Sequence, residues 1–511
     1  LDYEVVIVGG GPVGLTAASL LGRRGHRVAL VERFEEIYPL PRAVRLDGEI
    51  MRTFQAVGIV DEIAATLMPI DSYRWLGADG EVILDIEWGG MAPSGWAANY
   101  SFWQPAVDGA LDRRARSWPS VEVLRGWAAE ELEQDDEGCL VRIRRSSEAD
   151  GDETMSLRSR FVIGADGANS FVRQALGIEQ VDFGFAEHWL VVDARPDDLS
   201  PWPRGAGEQR CDPDRPTTIG PNGSSARRWE FMLLPGEDPA EFADRERVWE
   251  LLEPYLARDA GELIRSAVYQ FRSLVATQMR HGRAFLAGDA AHVMPPFMGE
   301  GMCSGIRDAA NLSWRLDLVL CGIGDERLLD DYETERGPHN EAMIDVSIKM
   351  GRVSCTTDPA AAAERDRAFR AGDVPPPPPP SRLQGGTLAA ADRVAGILTP
   401  QGTMKGPDGK IGKLDDLVGV GFALVCGAGD PRRELAPDLL RFLDSIGTAI
   451  VSLDLDATSP YLDCDGAITG FLEANGIVAF ISRPDGYGYG SASGRGDLPG
   501  LIKRLMEAID R

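Results

Sequence analysis

Three stretches of the sequence hold residues whose types and spacing suit the binding of one extended cofactor. Gly9, Gly11 and Gly14 stand in G-x-G-x-x-G spacing behind the short apolar run 4–8. A second apolar run, 27–31, ends at Glu32, near the roughly 20-residue spacing at which an acid takes ribose hydroxyls. Gly9 permits a tight turn, Gly11 lets the backbone approach a pyrophosphate, and Gly14 lets a helix pack on the strand with its N-terminus facing the phosphate. Further along, residues 161–163 run into Ala165-Asp166-Gly167, and Arg173 lies on the helix that follows. Residues 284–287 then run into Gly288-Asp289, followed by Pro295-Pro296 and Gly299-Glu300-Gly301. The first stretch alone leaves NAD and FAD both open. The two later strand-end carboxylates exceed what an NAD site needs and suit FAD lying across several strand ends. Arg42, ahead of a helix marked by Ile50, Met51, Phe54 and Val57, could neutralise its pyrophosphate.

The elements that must carry these residues follow from periodicity. The run 4–8 reads as a buried parallel strand, and Leu15, Ala18, Leu21 and Gly22 follow at helical spacing. "WLVVDA", "RRWEFMLL" and "AVYQFRSLV" read as strands of a separate layer. Trp75, Trp88, Trp96 and Trp103 precede a strand expected at Gln104, and fit a core between that layer and the cofactor domain better than a wall for a planar ring. A helix-like stretch then gives way to six prolines, 375–380, a stiff extended spacer. Beyond it, runs at 421–425, 448–453 and 477–482 alternate with helix patterns such as 437–443, as in a small α/β domain.

Composition narrows the class. The 511 residues are 44% hydrophobic, enough for sizeable cores, and carry a formal charge of −27, which disfavours nucleic acid and anionic membrane partners. The seven cysteines are scattered without a C-x-x-C pair, so neither a disulfide framework nor a metal site is indicated, and a reducing cytoplasm is expected. Glycines interrupt the apolar start, which reads as neither signal peptide nor membrane span.

The motifs GGGPVG, GADG and AGDAAH, in this order, resemble those of the single-component flavoprotein aromatic hydroxylases. "FWQPAVD" (102–108), "RRWEFMLLPGE" (227–237), "YETERGPHNEAMID" (332–345) and "RPDGYGYG" (483–490) resemble the 3-(3-hydroxyphenyl)propionate hydroxylase-like branch. The resemblance covers nearly the whole chain and is weakest at about 352–400. It implies an α/β fold, α+β overall: a Rossmann-like FAD domain (1–70, 106–180, 276–350), an inserted β-sheet substrate domain (71–105, 181–275), a helix and proline-rich linker (351–400), and a thioredoxin-like domain (401–511) with a structural or oligomer-interface role. It implies FAD held by Gly9, Gly11, Pro12, Val13, Gly14, Glu32 and Arg33, with Arg42 and Gln104 at the flavin. Asp166 would serve FAD and the passing nicotinamide, Gly288 and Asp289 the ribityl chain, and Pro296 the vicinity of the reacting oxygen. Gly299, Gly301, Met302 and Cys303 would form the helix start that stabilises the flavin N1–C2=O edge. Relatives read G-Q-G-x-N at this turn, whereas this chain has Glu300 and Cys303. Cys303 is read as a small packed residue rather than a reactive thiol.

The implied reaction consumes NADH or NADPH and O₂ and hydroxylates a phenol, as in aromatic catabolism, through a flavin C4a-hydroperoxide. A hydroxyphenylpropionate-type acid is the first expectation, with a larger polyketide or antibiotic ring, or a flavin protein that only sequesters a ligand, as alternatives. An acid would need an arginine, and Arg210, Arg215, Arg227 and Arg228 are available. No W-x-W-x-I-P stretch points to halogenation, and no second glycine fingerprint to a separate NAD(P)H domain. The base that takes the phenol proton is not named by the sequence. Arg45, Asp47 and Tyr269 could reach the substrate face, while His292 and His339, the latter opening a helix, read as structural. A homodimer or higher homo-oligomer is compatible with this organisation.

Overall fold

The computed structural model describes residues 1–147, 153–374, 382–454, 456–457 and 460–510. The proline run at 375–380, read above as a spacer, lies outside them.

The first sheet has eight strands, five of them parallel in the order Ala284–Leu286, Thr154–Gly164, Tyr3–Val8, Val28–Glu32 and Val121–Arg125. Val5, Val6 and Ile7 are fully buried, as continuous apolar runs require when a parallel strand is covered on both faces. The strand ends are laced at one level: Gly9 N donates to Val31 O (2.8 Å), Ala165 N to Val8 O (2.8 Å) and Ala287 N to Gly164 O (2.9 Å). All three cofactor motifs therefore leave the same edge side by side. Helices Pro12–Arg23 and Gly301–Leu320 pack over that edge.

The second sheet has eight strands, and its centre is Gly261–Ala276, Gln180–Pro196, Ala226–Met232 and Thr217–Asn222. Alternation divides its faces. Leu190, Val192, Trp229 and Phe231 turn outward and are covered by Val248, Trp249 and Leu252 of helix Arg245–Leu252. Their neighbours Trp189, Val191, Asp193, Arg228, Glu230 and Met232 share the opposite, inner face. Helix Pro359–Arg370 packs on the outermost strands, with Phe369 stacked on Trp75.

Two local expectations change. Gln104 opens helix Gln104–Arg116 instead of lying on a strand, because Pro105 is preorganised for a first helical turn. His339 lies inside helix Asp330–Ser354, which runs through Pro338. Gly337 has no Cβ to clash with the proline ring, so the usual restriction before proline is relieved. The C-terminal unit is a four-stranded sheet, ordered Ala449–Ser452, Ala423–Cys426, Ala479–Ser482 and Gly488–Ala492, with helices including Pro437–Ser445 and Leu498–Ile509. No described helix is long and apolar enough to cross a membrane.

Candidate active site

The first glycine turn is built for close approach. Gly9 has φ +111°, and a Cβ on it would lie 2.3 Å from Ala165 O. A Cβ on Gly14 would lie 2.0 Å from Gly9 O, so the helix can pack only without one. At Gly11 a Cβ would meet nothing within 4 Å. Gly11 is the N-cap of helix Pro12–Arg23, and no side chain caps it, which leaves first-turn N–H groups for an anion. Glu32 accepts from Gly10 N (2.7 Å) and Phe34 N (2.9 Å) and keeps lone pairs for ribose hydroxyls. Arg33 lies over Phe34, and Arg42 is exposed over Tyr38. These donors and acceptors fit the ADP part of FAD.

The second and third motifs brace each other. Asp166 accepts from Ser170 Oγ (2.5 Å) and Val172 N (3.1 Å), capping helix Phe171–Ala175, and burial raises its pKa against those bonds. Arg173 donates to Ala168 O and Ala290 O, both at 3.0 Å, and so ties the Asp166 loop to the Asp289 turn. Val13 fills the gap where Gly288 (φ +61°) meets Gly305: a Cβ on Gly305 would lie 2.6 Å from Val13 Cγ2 and 2.9 Å from Gly288 Cα. Asp289 is accessible at the strand tip, yet enclosure by surrounding protein raises its pKa, with His292 and Arg42 opposing. Buried Asp308 holds the turn by accepting from Gly288 N (3.0 Å), His292 Nε2 (2.6 Å) and Arg336 Nε (2.8 Å). Burial opposes its charge, but His292 and Arg336 hold the carboxyl well below the usual range.

Pro296–Met298 is a single tight turn that ends at Gly299 (φ +64°), and helix Gly301–Leu320 starts with no side-chain cap. The glutamate that replaces the expected amide has a definite role here. Glu300 takes Arg45 Nη1 (2.6 Å) on one oxygen and Arg307 Nη1 (2.9 Å) on the other. Burial opposes its ionisation, yet the two guanidiniums outweigh that and pull its pKa down to about 2. Arg45 also donates to Met298 O (2.6 Å) and Asn99 Oδ1 (2.9 Å) and lies 4.9 Å over Trp88. Asp47 caps helix Gly48–Val57 through Glu49 N and Ile50 N, both 3.0 Å, and bonds Arg307. Both side chains are thus engaged in holding the turn. Cys303 is fully buried against Arg45 O and Gly299 O, and burial with Asp47 and Glu300 raises its thiol pKa well above the ordinary value.

Gln104 is wholly engaged in shaping the Arg42 loop. Its Oε1 accepts from Arg42 N (2.9 Å) and Ala43 N (2.7 Å), and its Nε2 donates to Asp108 (3.2 Å). From the other side, Arg228 donates to Asp193 (2.8 Å, twice), Arg42 O (2.5 Å) and Pro41 O (3.0 Å), and Arg265 also bonds Pro41 O. Tyr269 lies on the inner face opposite Trp189, its ring 5.0 Å from Arg265. The aromatic wall is formed by Trp189, Phe271, Phe185 and Phe297, not by the four tryptophans singled out in the sequence. Trp75 packs on Phe369 and Trp96 under Lys413, and only Trp88, stacked on Tyr73 at 4.6 Å, borders the turn. Of the four arginines offered for an acid, Arg228 is committed to Asp193, Arg215 to Glu237 and Arg210 to Glu208, while Arg227 lies over Trp202 on the outer face. A separate hollow between the first domain and the C-terminal unit, lined by Arg52, Trp314, Asp415 and Phe422, is apart from the strand ends.

The C-terminal unit reaches inward through its 483–487 loop. Arg483 bonds Glu335 (2.8 Å), Asp485 accepts from Asn311 (3.1 Å) and Trp314 Nε1 (3.2 Å), and Tyr487 donates to Glu49 (2.8 Å), which holds Arg307. Glu335 lies between Arg315 and Arg483, and despite burial these pull its pKa down to about 2. Glu300 and Glu335 therefore stabilise the fold fully above the ordinary Glu value of about 4.3 and lose that contribution as pH falls toward about 2. Melting temperature should fall steeply across that window, and Glu300→Gln should flatten the fall. A slope unchanged by the substitution would contradict this assignment.

Residues 2–347 match the family described as FAD binding domain, and residues 396–508 match the HcaD C-terminal domain. The chain is 38% identical over 515 residues to the probable NADH-specific resorcinol 4-hydroxylase of Rhodococcus jostii (strain RHA1), with 99% of this chain and 95% of that protein covered. It is 36% identical over 518 residues to the 3-(3-hydroxy-phenyl)propionate/3-hydroxycinnamic acid hydroxylase of Mycobacterium sp. (strain JLS), with 95% and 88% covered. Among solved structures, the flavin-dependent monooxygenase PieE in complex with FAD and substrate has a TM-score of 0.82 at 22% identity, covering 100% of this chain and 99% of that one. Aklavinone-11 hydroxylase with FAD and aklavinone gives 0.80 at 24%, with 99% of both chains covered. At these identities the two structures speak for the fold alone.

Proposed function

The chain belongs to the FAD-dependent aromatic hydroxylases, and we propose that it hydroxylates a single-ring phenol carrying a second substituent meta to the hydroxyl. Resorcinol and 3-(3-hydroxyphenyl)propionate, named for two relatives, share that pattern. The observation that carries the reading is the inner sheet face. An apolar patch where Phe297 packs edge to face on the fully buried Trp189 shares that face with hydroxyl, amide and carboxylate groups at Tyr73, Thr218, Gln209 and Glu230. One polar cluster and one apolar patch suit a small phenol.

Bound FAD, reduced by NADH or NADPH, supplies the activation of O₂ for transfer of one oxygen atom to the ring. The chain's own part is placement. Gly11, Glu32 and Asp289 would hold the cofactor along the strand ends, and Arg45 and Glu300 fix the Pro296–Met298 turn beside it. The sheet face would cover the substrate ring and exclude water. NADH is the favoured reductant, after the resorcinol-hydroxylating relative. A reducing cytoplasm suits the seven free cysteines, and a homo-oligomeric assembly is carried as part of the same proposal.

The test is a panel of phenols scored by oxygen uptake, NADH oxidation and product mass. Resorcinol is expected to turn over at least as well as 3-(3-hydroxyphenyl)propionate, because Arg210, Arg215 and Arg228 are already paired and Arg227 lies on the outer face. The reading fails if no phenol accelerates NADH oxidation or gains an oxygen atom.

A further inference from the structure

One carboxylate on the inner sheet face accepts no hydrogen bond among the described residues. Glu230 has a side chain only 14% exposed, and its nearest cation is Arg228, 3.8 Å away and already committed to Asp193 and the 41–42 carbonyls. A largely enclosed carboxylate held by one loose ion pair and no hydrogen bond is costly, and those that persist commonly have work to do. Its position fits such work. Along the strand, Arg228 on one side grips the loop of Arg42, and Met232 on the other lies opposite Trp189, whose ring is 5.7 Å from Phe297 of the turn. Across the strands, Glu230 faces Thr218. Thr218 donates to Gln209 Oε1 (2.7 Å), and Tyr73 Oη is 3.5 Å from the same oxygen. A Cβ on Gly220, which faces Arg228 one step along this face, would meet nothing within 4 Å.

We propose that Glu230 takes the proton from the substrate's phenol hydroxyl, an inference that rests on the phenol-hydroxylase reading above. The substrate O–H bond breaks, its electron pair stays on oxygen as phenolate, and the proton forms an O–H bond on a Glu230 carboxylate oxygen. No electrons change hands in this step. The phenolate enriches the ring carbons ortho and para to it, where the oxygen atom is delivered. Among the described residues, Arg228, Asp193, Arg265 and Tyr73 are the charged or titratable groups that act on Glu230 or feel its charge. Burial raises its pKa toward that of a useful base, with Arg228 and Arg265 opposing and Asp193 reinforcing.

The experiment compares the parent holoenzyme with Glu230→Gln and Glu230→Asp, using resorcinol and a fluorinated resorcinol already ionised at the assay pH. Glu230→Gln is expected to retain its flavin spectrum and to lose about 100-fold in kcat on resorcinol at neutral pH, the lower range for general-base catalysis. The deficit should close as pH rises through the phenol's own ionisation, and the fluorinated substrate should restore most of the rate. Glu230→Asp should keep an intermediate rate with a displaced acidic limb. Parent-like kcat and pH profile in Glu230→Gln would overturn the proposal, as would an equal loss on the pre-ionised phenol. If Glu230→Gln does not hold FAD, the aspartate variant decides: an unmoved rate and acidic limb overturns the assignment. Failure of the parent itself to hydroxylate any phenol would instead bring down the reading beneath it.

Discussion

Arg307→Met is expected to remove about 3–5 kcal/mol of stability, the cost of stripping the counterion from a buried ion pair. For a domain of this size that lowers Tm by roughly 10 °C. Arg307 bonds Asp47, Glu49 (2.9 Å) and Glu300 (2.9 Å), and its side chain is 8% exposed. With methionine in its place, Asp47 keeps its helix-capping bonds and Glu49 its bond from Tyr487, while Glu300 must share a single guanidinium, that of Arg45. The turn at Pro296–Met298 hangs on that same arginine, so FAD affinity should fall together with stability. The double variant Arg307→Met/Glu300→Gln should be less destabilised than the two single losses summed, because the second change removes one of the uncompensated charges. A melting temperature within a degree or two of the parent would show that the cluster is not held by Arg307.

The same cluster shows what can be read from sequence and what cannot. The strand-end motifs are local: Gly9, Gly11, Gly14 and Glu32 announce their geometry within one β-α-β unit, because turn, approach and packing are each set by neighbours along the chain. The Asp166 strand lies beside the first one and the Asp289 strand beside the Asp166 strand, an order that local patterns do not announce. Arg307 carries no such local mark. Its partner Asp47 is 260 residues away, Arg228 and its carbonyl at Arg42 are 186 apart, and Arg483 and Glu335 are 148 apart. Pairing of this kind depends on topology, not on periodicity. One signal did exist. A glutamate at the Glu300 turn, where relatives carry an amide, puts a charge into a tight buried bend, and such a charge demands cations nearby. Arg45 was legible as a residue of the substrate side, but its engagement with Glu300 and Met298 makes it a holder of the turn. Aromatic content marks burial without saying which face is buried, so the four tryptophans were legible as packing residues and the aromatic residues near the turn were not. Trp75 and Trp96 pack against Phe369 and Lys413, while the wall comes from Trp189 and the phenylalanines.

Gly11→Asp is expected to separate folding from cofactor binding, with opposite signs. Gly11 has φ −79° and ψ −178°, a backbone any residue adopts, and a Cβ there would touch no protein atom within 4 Å. Glycine at this position therefore serves neither the chain's conformation nor its packing. It sits at the N-cap of helix Pro12–Arg23, where no side chain satisfies the first-turn N–H groups. Aspartate is a favoured N-cap residue, worth about 0.5–2 kcal/mol over alanine, and its charge complements the helix dipole. The flavin-free protein should be at least as stable as the parent. The same carboxylate, however, takes the N–H groups that a pyrophosphate needs and places a negative charge where two more must come. Flavin affinity should fall by at least about 100-fold, equivalent to roughly 2.8 kcal/mol. Gly14→Ala, by contrast, drives a Cβ to 2.0 Å from Gly9 O and should cost stability and flavin together. Thermal melts of both flavin-free variants, set beside their flavin content after reconstitution, distinguish the two kinds of glycine. A Gly11→Asp protein that takes up FAD like the parent would remove the N-terminus of this helix from the cofactor site.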